Sequence, residues 1–174
     1  MAWTLRPARP ADAEQLARIV TDGFAAYGEF AAPGWEPPSY EHQLELLEQA
    51  LPEPDAWCLI AEADGEIAGL VVIRDAAQPP LSSPEPGMAF LWRLFVEPPW
   101  FGSGLALLLH DEALREARNR GYSSIRLFAA AGQARARRFY EREGWVAAGP
   151  PFMQESFGMD VVDYRRSLTT PPAS

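Results

Sequence analysis

Leu91-Trp-Arg-Leu-Phe-Val-Glu-Pro-Pro-Trp-Phe-Gly-Ser-Gly-Leu-Ala-Leu-Leu-Leu109 reads as the end of a strand, a broken turn and the start of a helix. The strand, Met88 to Val96, is largely apolar, as expected of a central strand covered on both faces. The helix carries apolar residues at Leu105, Leu108, Leu109, Ala113 and Ala117, runs through Arg120 and is terminated by Gly121. Between them, Gly102 and Gly104 let the backbone take unusual dihedrals and come close to a ligand. The first amides of the helix have no carbonyl behind them, and acids commonly sit there to answer the positive end of the dipole. From Gly102 to His110 there is no acid, while Arg115, Arg118 and Arg120 lie at the other end. The helix start is therefore open to an external anion such as a pyrophosphate. It lacks the third glycine of a dinucleotide fingerprint and the Gly-Lys-Ser/Thr of a P-loop. Local chemistry leaves two readings, an anion site or a tight turn without a ligand.

Outward from this turn the periods alternate. Thr4-Leu5-Arg6 reads as a short strand, followed by a helix that begins at Asp12 and Glu14 with a stripe of Ala13, Leu16, Val20 and Phe24. Ala31 to Pro38 is too rich in proline and glycine for a helix. Ser39 is placed to cap a second helix, with Tyr40, Leu44, Leu47 and Leu51 on one face. Ala56 to Glu62 and Glu66 to Ile73 form a hairpin across Ala63-Asp64-Gly65. Gln78 to Gly87, with four prolines, is an exposed loop. Ser124 to Ala130 is a strand, Gln133 to Glu143 a helix closed by Gly144, and Trp145 to Ala148 and Met159 to Tyr164 closing strands. Pro150 to Gly158 is a loop between them. Residues 1–168 are expected to form one domain, with 169–174 a disordered tail.

The 174 residues suffice for a real core, and 48% hydrophobic against 22% charged residues is a globular balance. No signal-peptide pattern or membrane span is evident, so a cytoplasmic protein is expected. A net charge of −9 argues against nucleic acid as a partner and tolerates a cationic one. Cys58, the single cysteine, sits in the apolar run Trp57-Cys58-Leu59-Ile60 and reads as a buried small hydrophobe. With two histidines, His42 and His110, nothing resembles a zinc site, and no metal is expected.

Four segments in order carry a resemblance: Leu5-Arg6-Pro-Ala…Asp12-Ala, Asp64-Gly65-Glu-Ile-Ala-Gly69, the run from Leu91 to Leu109, and Gln133-Ala-Arg-Ala-Arg-Arg-Phe-Tyr-Glu-Arg-Glu-Gly-Trp145. Together they resemble the GNAT superfamily of N-acetyltransferases, from about Thr4 to Leu168. The resemblance implies an α/β (α+β) fold: a mixed, mostly antiparallel twisted sheet flanked by helices, its two central parallel strands splayed apart. It implies acetyl-CoA as acyl donor, with Leu94, Phe95 and Val96 holding the pantetheine arm. Phe101, Gly102, Ser103, Gly104, Leu105 and Ala106 would hold the pyrophosphate, and Gln133, Arg135, Ala136 and Tyr140 would line the cofactor on the second motif. Phe101 stands where the family often has Arg or Gln, and Gln133 where it usually has Asn.

The resemblance makes Tyr140 the group that protonates the departing sulfur; a packed core tyrosine is the alternative. Glu97, Glu29 and Glu62 are candidate bases, and a water chain could replace all three. Tyr27, Phe30, Trp35 and Arg93 are candidate acceptor-site residues, with Phe152 and Phe157 on the opposite wall. The expected activity is direct transfer of an acetyl group to the amine of a small molecule or a protein N-terminus, by a monomer or homodimer. A non-catalytic acyl-CoA sensor of the same fold, or a phosphate-binding protein unrelated to CoA, are the other readings.

Overall fold

The computed structural model describes residues 3–77 and 85–169. Among them, eight strands form one sheet: β1 (Thr4–Pro7), β2 (Trp57–Ala63), β3 (Glu66–Asp75), β4 (Met88–Val96), β5 (Ser124–Ala130), β6 (Val146–Ala147), β7 (Phe152–Gln154) and β8 (Met159–Ser167). Their order is β1-β2-β3-β4-β5-β8, with β6 and β7 both paired to β8. Every pairing is antiparallel except β4 with β5. The helices are α1 (Ala13–Ala25), α2 (Tyr40–Ala50), α3 (Leu105–Asn119) and α4 (Ala134–Arg142).

Strand alternation divides the apolar residues between two cores. Ile60, Leu70, Val72, Phe90 and Trp92 pack with Leu16, Val20 and Leu47 beneath α1 and α2. Leu59, Val71, Ile73, Leu91 and Leu127 pack with Leu105, Leu109 and Ala113 beneath α3. This double cover explains why the central strands read as continuous apolar runs. The β2–β3 hairpin turns on Asp64 and Gly65, at φ 54° and 81°, the two positive values that a tight two-residue turn requires. Ser39 caps α2 by accepting a hydrogen bond from the His42 amide at 3.2 Å.

Several boundaries differ from the sequence reading. Asp12 stands at the start of α1 as expected, but as the last residue of a short 3-10 turn, Pro10–Asp12, and its carboxylate accepts from Arg6 and from the Arg9 amide rather than from the helix. Gln133 lies just outside α4. Trp145 is buried rather than part of a strand, leaving only Val146–Ala147 as β6. The loop after Pro150 contains β7, a strand three residues long that neither period nor composition marks. β8 runs past Tyr164 to Ser167. On α2 the most buried residues are Gln43, Leu47 and Ala50, so the helix is rotated from the expected face. Of the expected loop from Gln78 to Gly87, residues 78–84 lie outside the described residues, as do residues 170–174 of the expected tail. No helix among the described residues is long and apolar enough to cross a membrane.

The parallel pair positions the site. β4 and β5 match only at Met88–Ser124, Ala89–Ile125 and Phe90–Arg126. Their outer edges stay paired: β4 is bonded to β3 out to Val96, and β5 to β8 out to Ala130. Beyond Phe90 each strand is held by its outer neighbour while the inner edges diverge. Next to the parting point, Leu91 pairs with Ile73 but Arg93 with Val72, so Trp92 is an extra residue in β4. Such a bulge bends its strand and increases the twist.

Candidate active site

The divergence leaves the inner edge of β4 from Leu91 to Val96 without a strand partner. Backbone amides and carbonyls there need hydrogen bonds from somewhere. The polar, extended arm of a pantetheine is suited to supply them, and Leu94, Phe95 and Val96 are the residues beside the opening. The gap is a cavity of about 450 Å³, lined among others by Tyr27, Gln43, Arg93, Phe128, Tyr140 and Phe157.

Past Val96 the chain turns through Pro98–Trp100 into the glycine turn. Gly102 and Gly104 sit at φ 75° and 90°, with open space where a Cβ would be. Ser103 Oγ donates to the Trp100 carbonyl at 2.6 Å and accepts from the Leu105 amide at 3.3 Å. Leu108 donates to the Gly104 carbonyl as the first helical bond, which leaves the Ala106 and Leu107 amides at the mouth of α3. The first turn of α3 carries no acid. Exposed Phe101 stacks under Arg135, whose guanidinium lies 5.2 Å from the ring centre. This brings a cation from α4 to the edge of the turn. Both the open backbone and the cation fit the phosphates of an acyl-CoA.

Tyr140, on α4, reaches the cavity from the opposite side. Its ring packs on Phe139, Trp145 and Tyr164 at 5.2, 5.7 and 6.4 Å between centres. Burial, and secondarily Tyr27, push the phenol well above its usual range, so it holds its proton at neutral pH. Ala136, one turn before Tyr140, is half-buried on the same helix. Gln133 lies near Tyr27 and Phe30 rests on Gly132, so the segment after α1 closes the end of the cleft. Burial pushes the Tyr27 phenol up to about 12, against the pull of Arg93 and Gln133.

The four candidate acceptor residues divide into two pairs. Tyr27 and Arg93 line the cavity. Trp35 instead donates to the Phe157 carbonyl at 2.9 Å, and Phe30 packs on Tyr27 at 5.2 Å, so both buttress the wall. Phe157 lines the cavity, whereas Phe152 stacks on Phe128 and is 43% exposed. The candidate bases also separate. Glu62 is tied to Arg6, which also binds Asp12, in a cluster on β1 and β2. Glu29 is exposed on a 3-10 turn. Glu97 follows the end of β4, and burial together with Asp22 raises its carboxyl above the ordinary range. Cys58 is buried beneath α1, its thiol pushed by desolvation up to about 12, unsuited to act as a nucleophile.

Gln43 is the cavity residue that the sequence did not single out. It is 2% exposed, and its Oε1 accepts from Arg93 Nη2 at 3.1 Å. On a helix of alternating glutamates and leucines nothing distinguishes it from a solvated glutamine.

Solved structures share this architecture. A protein from Desulfovibrio desulfuricans assigned to the GNAT family of acetyltransferases is 24% identical, with TM-score 0.72, over 97% of this chain and 100% of that one. The PaiA N-acetyltransferase of Thermoplasma acidophilum, solved with coenzyme A, is 17% identical at TM-score 0.73, over 96% and 99%. A spermidine/spermine N-acetyltransferase of Vibrio cholerae is 19% identical at TM-score 0.66, over 96% and 95%. No curated protein sequence matches the chain. The model of the acetyltransferase (GNAT) family matches residues 21–145, which takes in β4, the glycine turn, α3, β5 and α4. With the splayed strands, the open turn and this match, the chain belongs to the acetyltransferase (GNAT) family, acyltransferases whose acyl donor is acetyl-CoA.

Proposed function

We propose that this protein moves the acetyl group of acetyl-CoA directly onto the amine of a small molecule or protein N-terminus, with both substrates bound at once. The observation that carries this reading is the parting of β4 and β5 beyond Phe90, with Tyr140 reaching into the cavity so formed. Acetyl-CoA supplies an acyl carbon already activated as a thioester and a thiol that leaves readily.

The chain's own groups do the rest. The free inner edge at Leu94, Phe95 and Val96 orients the pantetheine arm, and the Gly102 to Ala106 backbone holds the pyrophosphate. A neutral amine forms the new C–N bond as the C–S bond breaks, and the sulfur takes the electron pair. Tyr140 gives its hydroxyl proton to that sulfur. The attacking nitrogen releases one proton, which restores Tyr140 through water, so the products are an amide and a neutral thiol. Glu97, outside the cavity just past the end of β4, is the carboxylate we assign to relaying that proton: it takes the proton through water and passes it on to the Tyr140 oxygen, so neither group gains or loses a proton overall. Glu62 is occupied by Arg6 and Glu29 faces solvent, so neither is given this role.

Titration calorimetry and thiol release with a mixed amine library test the reading. Acetyl-CoA binds and free thiol appears with at least one amine; absence of binding at millimolar acetyl-CoA defeats it. Tyr140→Phe lowers turnover by about 10²-fold, while acetyl-CoA affinity stays within about twofold. Equal turnover in both proteins would reduce Tyr140 to packing.

A further inference from the structure

The cavity contains a cation, Arg93, that no acid among the described residues pairs. Arg93 lies on the wall of the cleft, its guanidinium stacked 4.3 Å from the Trp92 ring and 5.1 Å from that of Phe24. Among the described residues its hydrogen bonds are two: Nη1 to the Trp92 carbonyl at 3.0 Å and Nη2 to Gln43 at 3.1 Å. Both acceptors are neutral. Nε is buried and unpartnered, and each terminal nitrogen keeps a second N–H. No described carboxylate forms an ion pair with it; Glu36, the acid among the lining residues, sits on the exposed segment before α2. Every other arginine within the β-sheet strands has an acid: Arg6 has Asp12 and Glu62, Arg74 has Asp55, Arg126 and Arg165 have Asp163, apart from Arg166 at the end of β8. Arg93 is half-buried with its Nε out of water, and a guanidinium so placed is normally paired, because leaving it without a counter-charge is costly.

The bulge explains how it comes to be there. Strict alternation would send Arg93 to the opposite face from Trp92, toward α3. The extra residue puts both on the α1 side, directly before the Leu94 to Val96 edge. Desolvation holds the guanidinium down at about 9, opposed by Tyr27. Tyr27 in turn acts on Tyr140, and Arg93, Tyr27 and Tyr140 all line the one cavity, which makes it the path from the cation to the Tyr140 end of the cleft. Around this path the walls are aromatic: Phe24, Trp92, Phe128 and Phe157.

We infer that the acceptor is a free amino acid with an apolar side chain, its carboxylate held by Arg93 and its amine presented beside the Leu94–Val96 edge. This rests on the acetyl-transfer reading above and narrows its acceptor. Two terminal N–H groups match the two oxygens of a carboxylate, and a fixed anion only a residue from the acyl site suits an amine a few bonds away. The cation also disfavours a polyamine in this position, by like-charge repulsion in a desolvated site.

The test compares thiol release from acetyl-CoA with the twenty L-amino acids, and with the amide and the decarboxylated amine of each one consumed. At least one apolar amino acid is consumed, with kcat/KM roughly 10- to 100-fold above its amide and amine. Arg93→Gln shrinks that gap to about threefold or less while acetyl-CoA affinity is unchanged; Arg93→Lys keeps part of it. If Arg93→Gln fails to fold, Gln43→Leu, which leaves the charge but frees its orientation, still reduces the preference. An amide or amine consumed as well as the acid overturns the inference and leaves acetyl transfer standing. So does intact acetyl-CoA binding with no amino acid consumed. Failure of acetyl-CoA to bind defeats the transfer reading and this one together.

Discussion

At the scale of single residues, the groups that matter are set by partners far away in sequence. Glu62 and Glu97 are equivalent as isolated carboxylates, but Arg6 claims the first and Asp22 and burial act on the second. His110 shows the same dependence. It is fully buried on α3; its Nε2 accepts from the Trp145 indole at 2.9 Å, and its Nδ1 is 2.9 Å from Asp111. That arrangement requires the neutral imidazole, with its proton on Nδ1. Desolvation lowers the His110 pKa, Arg166 adds to this, and Asp111 and Glu143 oppose it. The folded protein therefore binds this proton less readily than the unfolded chain, whose histidine titrates near ~6.5. The contribution to stability is complete above that value and is lost as pH falls toward the lower folded pKa. Denaturant unfolding between about pH 7.5 and about pH 5 should show stability declining more steeply in the wild type than in His110→Gln. Equal slopes would mean that the indole bond does not depend on the neutral ring.

At the scale of elements, glycine and the bulge do what side chains cannot. Gly102 and Gly104 announce their turn because positive φ is costly for other residues. Gly23 announces nothing, being an ordinary-looking glycine inside α1. A Cβ there would overlap the ring of Phe95, which stacks on Phe24 at 5.1 Å. Gly→Ala in a helix normally gains about 1 kcal/mol. Here overpacking reverses the sign, and Gly23→Ala should lose about 1–3 kcal/mol by denaturant unfolding. A gain would show that Phe95 can move aside freely. The bulge at Trp92 is similarly silent: no glycine or proline marks it, and it follows from how β4 meets β3. That is why the sequence named Arg93 as an acceptor-site candidate without giving the face of the strand on which it lies.

For the whole molecule, the two cores hold the sheet from both faces, but the middle of the sheet is unfinished. β4 and β5 share three residue pairs, and the gap beyond them is bridged by side-chain contacts such as that of Phe30, after α1, with Gly132, before α4. A ligand that fills the gap binds only the folded state. Acetyl-CoA at 100 times its Kd should therefore stabilise the protein by about 2.7 kcal/mol, raising Tm by roughly 5–10 °C for a chain of this size. A saturating concentration that leaves Tm unchanged would count against the cleft as its site.

The order of elements and the open helix start were readable from the sequence because they depend on local rules: period, glycine and the placing of charge along one helix; the second motif around Tyr140 was readable only through the family resemblance. The same rules raised the glycine turn from a bare bend to a candidate pyrophosphate site. β7, the rotation of α2 that buries Gln43, the neutralised Glu62 and the unpaired Arg93 were decided by tertiary structure alone. Each depends on which distant strand or helix face arrives beside it, and in one case on a single extra residue that reverses a side chain's direction. Local chemistry sets what a residue can do; its neighbours across the sheet decide whether it is free to do it.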